Sequence, residues 1–422
     1  MSRAPAPLVL GIDFGTSNSA AALVDASGRL QVMALDGARP EMPTALFFAA
    51  EGQELLYGSA AMQAYLGGAE GRLLRALKSL LGSSLMDEHT AVGERSLRYF
   101  DILVLFFKEL KRRCEAQCGQ RLQHAMLGRP VHFVDAHPER DALAEQTLGR
   151  AAQEAGFVHI AYQLEPIAAA LDYAQRVGRE TLALVVDIGG GTSDFTVIRL
   201  NPARSALAQR QDDILATTGV HIGGTDFDRL LDLATVMPQL GYCHIGPGQR
   251  PVPNSVYLDL STWHLIHQAY TRRAMHFARE LWSDFADRSL HTRLMEVLEG
   301  QHGHRLLAEV ERAKIACSSS GQASPVALDF LQGASATITL QGMEDTLQDA
   351  IAQVVRCALA CVADSGLAAV DVVYLTGGSS ALRPLASALQ GAMPQARLVS
   401  GNLFGGVAAG LACAGAAARW SS

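Results

Sequence analysis

The sequence predicts an α/β fold built twice, as two lobes around a cleft, and three observations predict it. A glycine-and-aspartate segment, Gly11-Ile12-Asp13-Phe14-Gly15-Thr16-Ser17-Asn18-Ser19, has a distant counterpart in Asp187-Ile188-Gly189-Gly190-Gly191-Thr192-Ser193-Asp194-Phe195. Apolar β-type runs flank both, Leu8 to Ile12 and Ala20 to Val24 around the first, Leu182 to Ile188 and Phe195 to Leu200 around the second. At 422 residues the chain also exceeds one ordinary core, so two lobes or more are expected.

Taken in order, each segment reads as a strand, a tight glycine turn and a second strand. In such a hairpin tip, glycines let backbone N–H groups approach phosphate oxygens, and a hydroxyl adds a donor. Two tips imply one nucleotide gripped from both sides. The first half closes with Gln163-Leu164-Glu165-Pro166-Ile167-Ala168-Ala169-Ala170-Leu171, where a proline at a helix start precedes a small-residue face. The second half closes with a strand, Val370 to Leu375, then Thr376-Gly377-Gly378-Ser379-Ser380 and a helix from Pro384 to Leu389. Residues 37 to about 107 and about 227 to 310 break the pattern with helix-type periodicity and irregular turns, and read as insertions that form the cleft walls. Ala408 to Arg419 reads as a small-residue helix packed at the end of the fold. Lobe I is therefore expected over 1–180, completed by a C-terminal helix at 402–422, and lobe II over 181–401.

Composition narrows the partners. With 49% hydrophobic and 18% charged residues the chain is a packed protein, and a net charge of −7 offers no general attraction to nucleic acid or anionic lipid. Met1 to Pro7 lack the apolar core of a signal peptide, and the apolar run Ile102 to Phe107 is far short of the ~20 residues that a span needs, so a cytoplasmic monomer without membrane contact is expected. Seven cysteines include helical i, i+4 pairs, Cys114/Cys118 and Cys357/Cys361, but none completes a zinc spacing. Buried thiols are expected.

The ordered motifs resemble those of the Hsp70 ATPase domain, within the actin and sugar-kinase superfamily. They comprise the two glycine tips, Glu165-Pro166-Ile167-Ala168-Ala169-Ala170, His221-Ile222-Gly223-Gly224-Thr225-Asp226-Phe227-Asp228, Leu375-Thr376-Gly377-Gly378-Ser379, and a helix segment Val310-Glu311-Arg312-Ala313-Lys314-Ile315-Ala316-Cys317-Ser318-Ser319-Ser320. The resemblance implies an actin-like, ribonuclease H-like fold, ATP or ADP as ligand, Mg²⁺ with K⁺ as a further candidate ion, and an unassigned client or co-chaperone. It is similar to a compact bacterial branch that lacks the peptide-binding domain.

Residue by residue, the resemblance implies a metal set of Asp13, Glu165 and Asp187 acting mostly through water, since Mg²⁺ dehydrates reluctantly. The catalytic group would be Lys78, Glu165, Asp187, Thr192 and Asp194. Gly15, Thr16, Ser17, Asn18, Gly189, Gly190, Gly191 and Thr192 would receive phosphates. Gly223, Gly224, Gly377, Gly378 and Ser379 would admit the nucleotide closely, with Glu311 and Lys314 facing the ribose and Ser318 beside it. Lys78 is one of only four lysines among 35 Lys plus Arg, which suits a task needing a compact ammonium near the γ-phosphate.

Departures fall on the base side. Ile315 stands where the family has an arginine, and Arg383 is displaced by one residue, so the base is expected between an apolar side chain and an arginine plane. Phe404 replaces an acidic residue, and Pro130 resembles the switch proline between lobes. Slow ATP hydrolysis coupled to lobe movement is the leading expectation. A nucleotide-gated filament or scaffold protein and a small-molecule kinase with Asp194 as base stay open.

Overall fold

Residues 7–50, 54–92, 95–134, 137–174, 179–201, 211–401, 405–418 and 420 are described by the structure, a computed structural model. Two sheets carry the fold. The first runs His159–Leu164, His124–Arg129, Val9–Phe14, Asn18–Val24, Leu30–Val32, with Glu41–Pro43 also pairing onto Asn18–Val24. The second runs Arg397–Ser400, Val372–Thr376, Thr181–Ile188, Ser193–Leu200, Ile214–Val220. Within each, an antiparallel hairpin is extended by a third antiparallel strand on one side and two parallel strands on the other. The duplication is therefore one of topology as well as of motif.

Parallel neighbours require crossovers, and helices supply them. Tyr99–Cys118 and Pro138–Glu154 serve the first sheet, Leu340–Asp364 and Arg383–Ala392 the second. Tyr99–Cys118 buries Phe100, Leu103, Phe107, Leu110 and Cys114 at three- and four-residue spacing, and ends where Gly119 turns left-handed at φ 69°. Phe107 sits 5.2 Å from Phe14 of the first strand, ring centre to ring centre, so each phenyl contributes about 2–3 kcal/mol of burial directly under the first tip. By length and composition Leu340–Asp364 would be able to cross a bilayer, but its Leu347, Val354, Ala358 and Cys361 are buried, and it packs on Ile214–Val220 and Ser193–Leu200.

Two small-residue helices occupy equivalent places in the halves, Glu165–Ala174 after the first sheet and Gly406–Ala417 after the second, and they pack on each other. A Cβ on Gly410 would lie 1.9 Å from the Ala168 carbonyl oxygen, and one on Gly11 of the first strand 2.3 Å from the Ala412 nitrogen. Backbones this close exclude side chains, which explains the run of glycine and alanine.

The second insertion is helical, with Arg272–Glu280, Arg288–Glu299 and the start of Gly303–Ser320. The first departs in part from its helix-type expectation: among the described residues it is mostly strands, Ala45–Ala49 between Leu55–Tyr57 and Gly71–Arg75 and a hairpin of His89–Val92 with Arg95–Arg98, with the helix Ser59–Leu66, the 3-10 turns Leu77–Leu80 and Ser84–Asp87, and the start of Tyr99–Cys118. Strands of three to five residues are too short to show a period. The thiols also differ from expectation. Cys114, Cys317 and Cys361 are buried, Cys118, Cys357 and Cys413 half-buried, and Cys243 exposed. Phe404 and Arg419 lie outside the described residues.

Candidate functional site

The two hairpin tips face each other and touch. A Cβ on Gly190 would fall 2.1 Å from Ser17 Oγ, so glycine there is what lets the first tip lean on the second. Thr44 braces the first tip: its hydroxyl donates to the Gly15 carbonyl at 2.8 Å and meets Ser19 Oγ at 2.8 Å, while its N–H bonds the Ser17 carbonyl. A short tip cannot satisfy its own carbonyls, so a neighbouring donor is required. The second tip closes on itself, Gly189 N–H to the Thr192 carbonyl, and is stapled to the start of the helix Gly224–Thr235. Gly224 N–H donates to the Gly189 carbonyl at 3.0 Å, and both the Thr225 N–H and its hydroxyl donate to the Gly190 carbonyl at 2.7 Å. Gly377, at φ 78°, is in the left-handed region and lies so near Asp187 that a Cβ would stand 2.4 Å from Oδ1. Gly378 and Ser379 follow in a 3-10 turn, with Ser379 Oγ against Gly224.

Beneath the tips lies an acidic floor. Asp13 and Asp187 are each the penultimate residue of the first strand of their hairpin; Glu165 opens its helix, and Asp194 stands directly opposite Asp187 in the antiparallel pair. Like charges at facing positions repel. Lys78, in the 3-10 turn Leu77–Leu80, enters this group with Nζ 2.8 Å from Glu165 Oε1. Burial, then Glu165, pushes the Asp13 carboxyl up to about 7 against the pull of Lys78. Burial, then Asp194, Glu165 and Asp13, pushes Asp187 up to about 8. For Lys78, burial works downward, but Glu165, Asp13 and Asp187 outweigh it and its pKa rises. Four carboxylates around one ammonium are short of positive charge, and binding protons or a cation relieves that shortage. Among the described residues no three carboxylate, imidazole or thiol groups converge to ligate an ion directly, and a hydrated ion would be held through its waters. Thr192 donates to Asp194 Oδ2 at 3.1 Å. A cavity of about 300 Å³ reaches this floor, lined by Pro130, Glu165, Pro166, Asp187, Asp194 and Thr196 among others.

The residues expected on the nucleoside side have protein partners of their own. On the helix Gly303–Ser320, Lys314 is buried and pairs with Asp228 Oδ1 at 2.7 Å, whereas Glu311 is exposed. Burying an ammonium requires a close anion, and Asp228, on the core side of the helix Gly224–Thr235, provides it. Ser318 and Arg383 are also committed elsewhere. Ser318 Oγ donates to the Ala381 carbonyl and accepts the Arg383 N–H, while the Arg383 guanidinium donates to the Ser318 and Ser319 carbonyls at 2.9 and 2.8 Å. Helix ends leave such carbonyls unsatisfied, and a basic side chain answers them. Ile315 stands 54% exposed beside them, the side chain the sequence places against the base. Asp228 and Thr44 had no assigned role in the sequence reading; an aspartate pair at i, i+4, Asp228 and Asp232, on the buried face of an amphipathic helix is the signal for the first.

Residues 9–236 match the family model described as Hsp70 protein, more than half of the chain. The chain belongs to the Hsp70 family. With that assignment comes the actin-like ATPase fold, and the duplicated sheets and facing tips are those of an Hsp70-family nucleotide-binding domain. Among curated relatives, the chaperone protein DnaK of Thermotoga petrophila is 31% identical over 227 residues, covering 53% of this chain and 35% of its own length. That of Thermosipho melanesiensis is 32% identical over 228 residues with the same coverage, and that of Endomicrobium trichonymphae 29% over 228, covering 53% and 34%. The chain thus spans about a third of the length of these relatives. The part matched by the Hsp70 model holds both tips, Lys78, Glu165 and Gly223–Gly224; Glu311, Lys314, Gly377 and Arg383 lie beyond it.

Proposed function

We propose that this chain is an ATP-driven two-lobe switch: it binds ATP between the tips, hydrolyses it slowly, and changes lobe angle with nucleotide state. The observation that carries the reading is Lys78, held on Glu165 among Asp13, Asp187 and Asp194 beneath two glycine tips. The glycine N–H groups and the hydroxyls of Thr16, Ser17 and Thr192 bind and orient phosphate oxygens. Asp13, Glu165 and Asp187 would hold Mg²⁺ through water, and the ion would supply neutralisation of charge on the transferred phosphoryl group. Lys78 places its ammonium beside the γ-phosphate. Asp194 orients the attacking water and accepts its proton once the Thr192 hydroxyl, which donates to it at 3.1 Å, turns to phosphate. Lobe I over 1–180 with the helix Gly406–Ala417, and lobe II over 181–401, are the moving bodies, and Pro130 at the cleft floor is the pivot. A client or co-chaperone in the cytoplasm reads the resulting shape.

Single-turnover ATP hydrolysis of wild type, Lys78→Ala and Asp187→Asn tests this. Each variant is expected to lose on the order of 10²-fold or more in rate. Equal rates in all three would reject the catalytic assignment. The cavity beside Asp194 favours one second reading, transfer of the phosphoryl group to a small hydroxylated acceptor. Comparing phosphate released to water with phosphate transferred to polyols separates the two.

A further inference from the structure

At the outer end of the cleft, two side chains of the first insertion are seated on the second lobe. Tyr65, from the helix Ser59–Leu66, meets His304 Nδ1 at 2.9 Å, and His304 Nε2 lies 3.1 Å from the Trp263 carbonyl. A carbonyl only accepts, so Nε2 carries the proton, Nδ1 accepts, and the tyrosine hydroxyl donates. The Tyr65 and Trp263 rings both stand edge-on to the imidazole, at 4.9 and 4.7 Å. Arg75 lies over the same indole, its guanidinium carbon 4.5 Å from the ring centre. Burial works against the Arg75 charge, while Glu311 and Asp228 of the second lobe support it.

The chain on the other side of Arg75 leads straight to the catalytic floor. Arg75 is the last residue of the strand Gly71–Arg75. Ala76 then takes a left-handed conformation, φ 56° and ψ 33°, uncommon for a residue with a Cβ, and the 3-10 turn carrying Lys78 begins at Leu77. Leu77 is fully buried, so the turn is anchored in the first lobe's core. Within four residues the chain thus touches the opposite wall, passes a strained position and delivers an ammonium to Glu165.

We propose that Arg75 is a positioning residue for Lys78: seated on Trp263 when the outer walls meet, it fixes the strand end from which the Lys78 turn hangs. The inference rests on the hydrolytic reading above and adds a coupling to it, because a tryptophan on one lobe then governs the placement of a lysine on the other. The Tyr65–His304 contact keeps the indole oriented for Arg75.

Single-turnover hydrolysis and ATP affinity, measured on full chains of Arg75→Leu, Trp263→Leu, Arg75→Leu with Trp263→Leu, Arg75→Lys and Lys78→Ala, test the coupling. Arg75→Leu and Trp263→Leu are each expected to slow the chemical step on the order of tenfold while ATP affinity stays within about threefold. The double variant is expected to be no slower than the slower single, and Arg75→Lys, which keeps a cation over the indole, to recover at least about a third of the rate. A lobe that is merely destabilised gives neither the non-additivity nor the rescue. Arg75→Leu is decisive whatever Trp263→Leu does to folding: a wild-type rate in it, with Lys78→Ala inactive, overturns this inference and leaves the hydrolytic reading standing. A wild-type rate in Lys78→Ala overturns both.

Discussion

Asp232 shows what a single buried carboxylate costs this fold. It is fully buried on the helix Gly224–Thr235, Ser261 Oγ donates to its Oδ2 at 2.7 Å, and Oδ1 has no hydrogen-bond partner among the described residues. Burial pushes its pKa up to about 7 from the ordinary 3.8. Between these values the folded chain keeps a proton that the unfolded chain has lost, so this group's contribution falls as pH rises from about 4 through about 7. Asp232→Asn is therefore expected to flatten the pH dependence of stability over that interval and to gain on the order of 2 kcal/mol at pH 8, read by urea melts at pH 5 and pH 8. An unchanged slope would sink the assignment. Its neighbour Asp228 differs in having a cation: Lys314→Met leaves Asp228 buried without it and is expected to cost about 3 kcal/mol or more in the same melts, whereas Lys314→Met with Asp228→Leu recovers most of it. At this scale the sequence was legible where chemistry is local to a motif. Asp13, Lys78, Glu165 and Asp187 come together in the structure, each from a segment with its own motif, but the partner of Lys314 comes from another helix, and no spacing along the chain reveals it.

Elements repeat the lesson. Both hairpins were readable because a glycine tip between apolar runs has few other uses, and the observed strands, Val9–Phe14 with Asn18–Val24 and Thr181–Ile188 with Ser193–Leu200, cover the predicted runs except Leu8. The first insertion was not readable, because Ala45–Ala49 and Gly71–Arg75 are defined by pairing with each other rather than by an internal period. The capping contacts of Arg383 were unreadable for a related reason: the carbonyls it caps end a helix whose limit, Gly321 at φ 74°, is set by the fold around it. Gly377 offers a direct check. Gly377→Ala is expected to be strained by its positive φ and to push the Asp187 carboxylate aside, costing roughly 1–3 kcal/mol in stability and weakening nucleotide binding at least about tenfold, measured by calorimetry. Wild-type affinity in that variant would show that the Asp187 carboxylate has room to move.

For the whole molecule, the cleft ties two cores together, so a ligand held by both tips is expected to stabilise both lobes at once. At a hundredfold excess over Kd, Mg-ATP is expected to add about 2.7 kcal/mol and to shift a single melting transition upward. Two transitions of which only one moves would place the ligand on one lobe alone. The crossing of Glu165–Ala174 with Gly406–Ala417 carries a different consequence. Ala20 and Ala22 of the first sheet are covered by Ala408 and Ala412, residues synthesised nearly four hundred positions later. At about 5–20 residues per second, ribosomal synthesis leaves that sheet face bare for roughly 20–80 s. The strands Val9–Phe14 and Asn18–Val24 therefore wait, sticky and unfinished, for the helix Gly406–Ala417 to emerge, and a nascent chain of this kind depends on something else to shield them in the meantime.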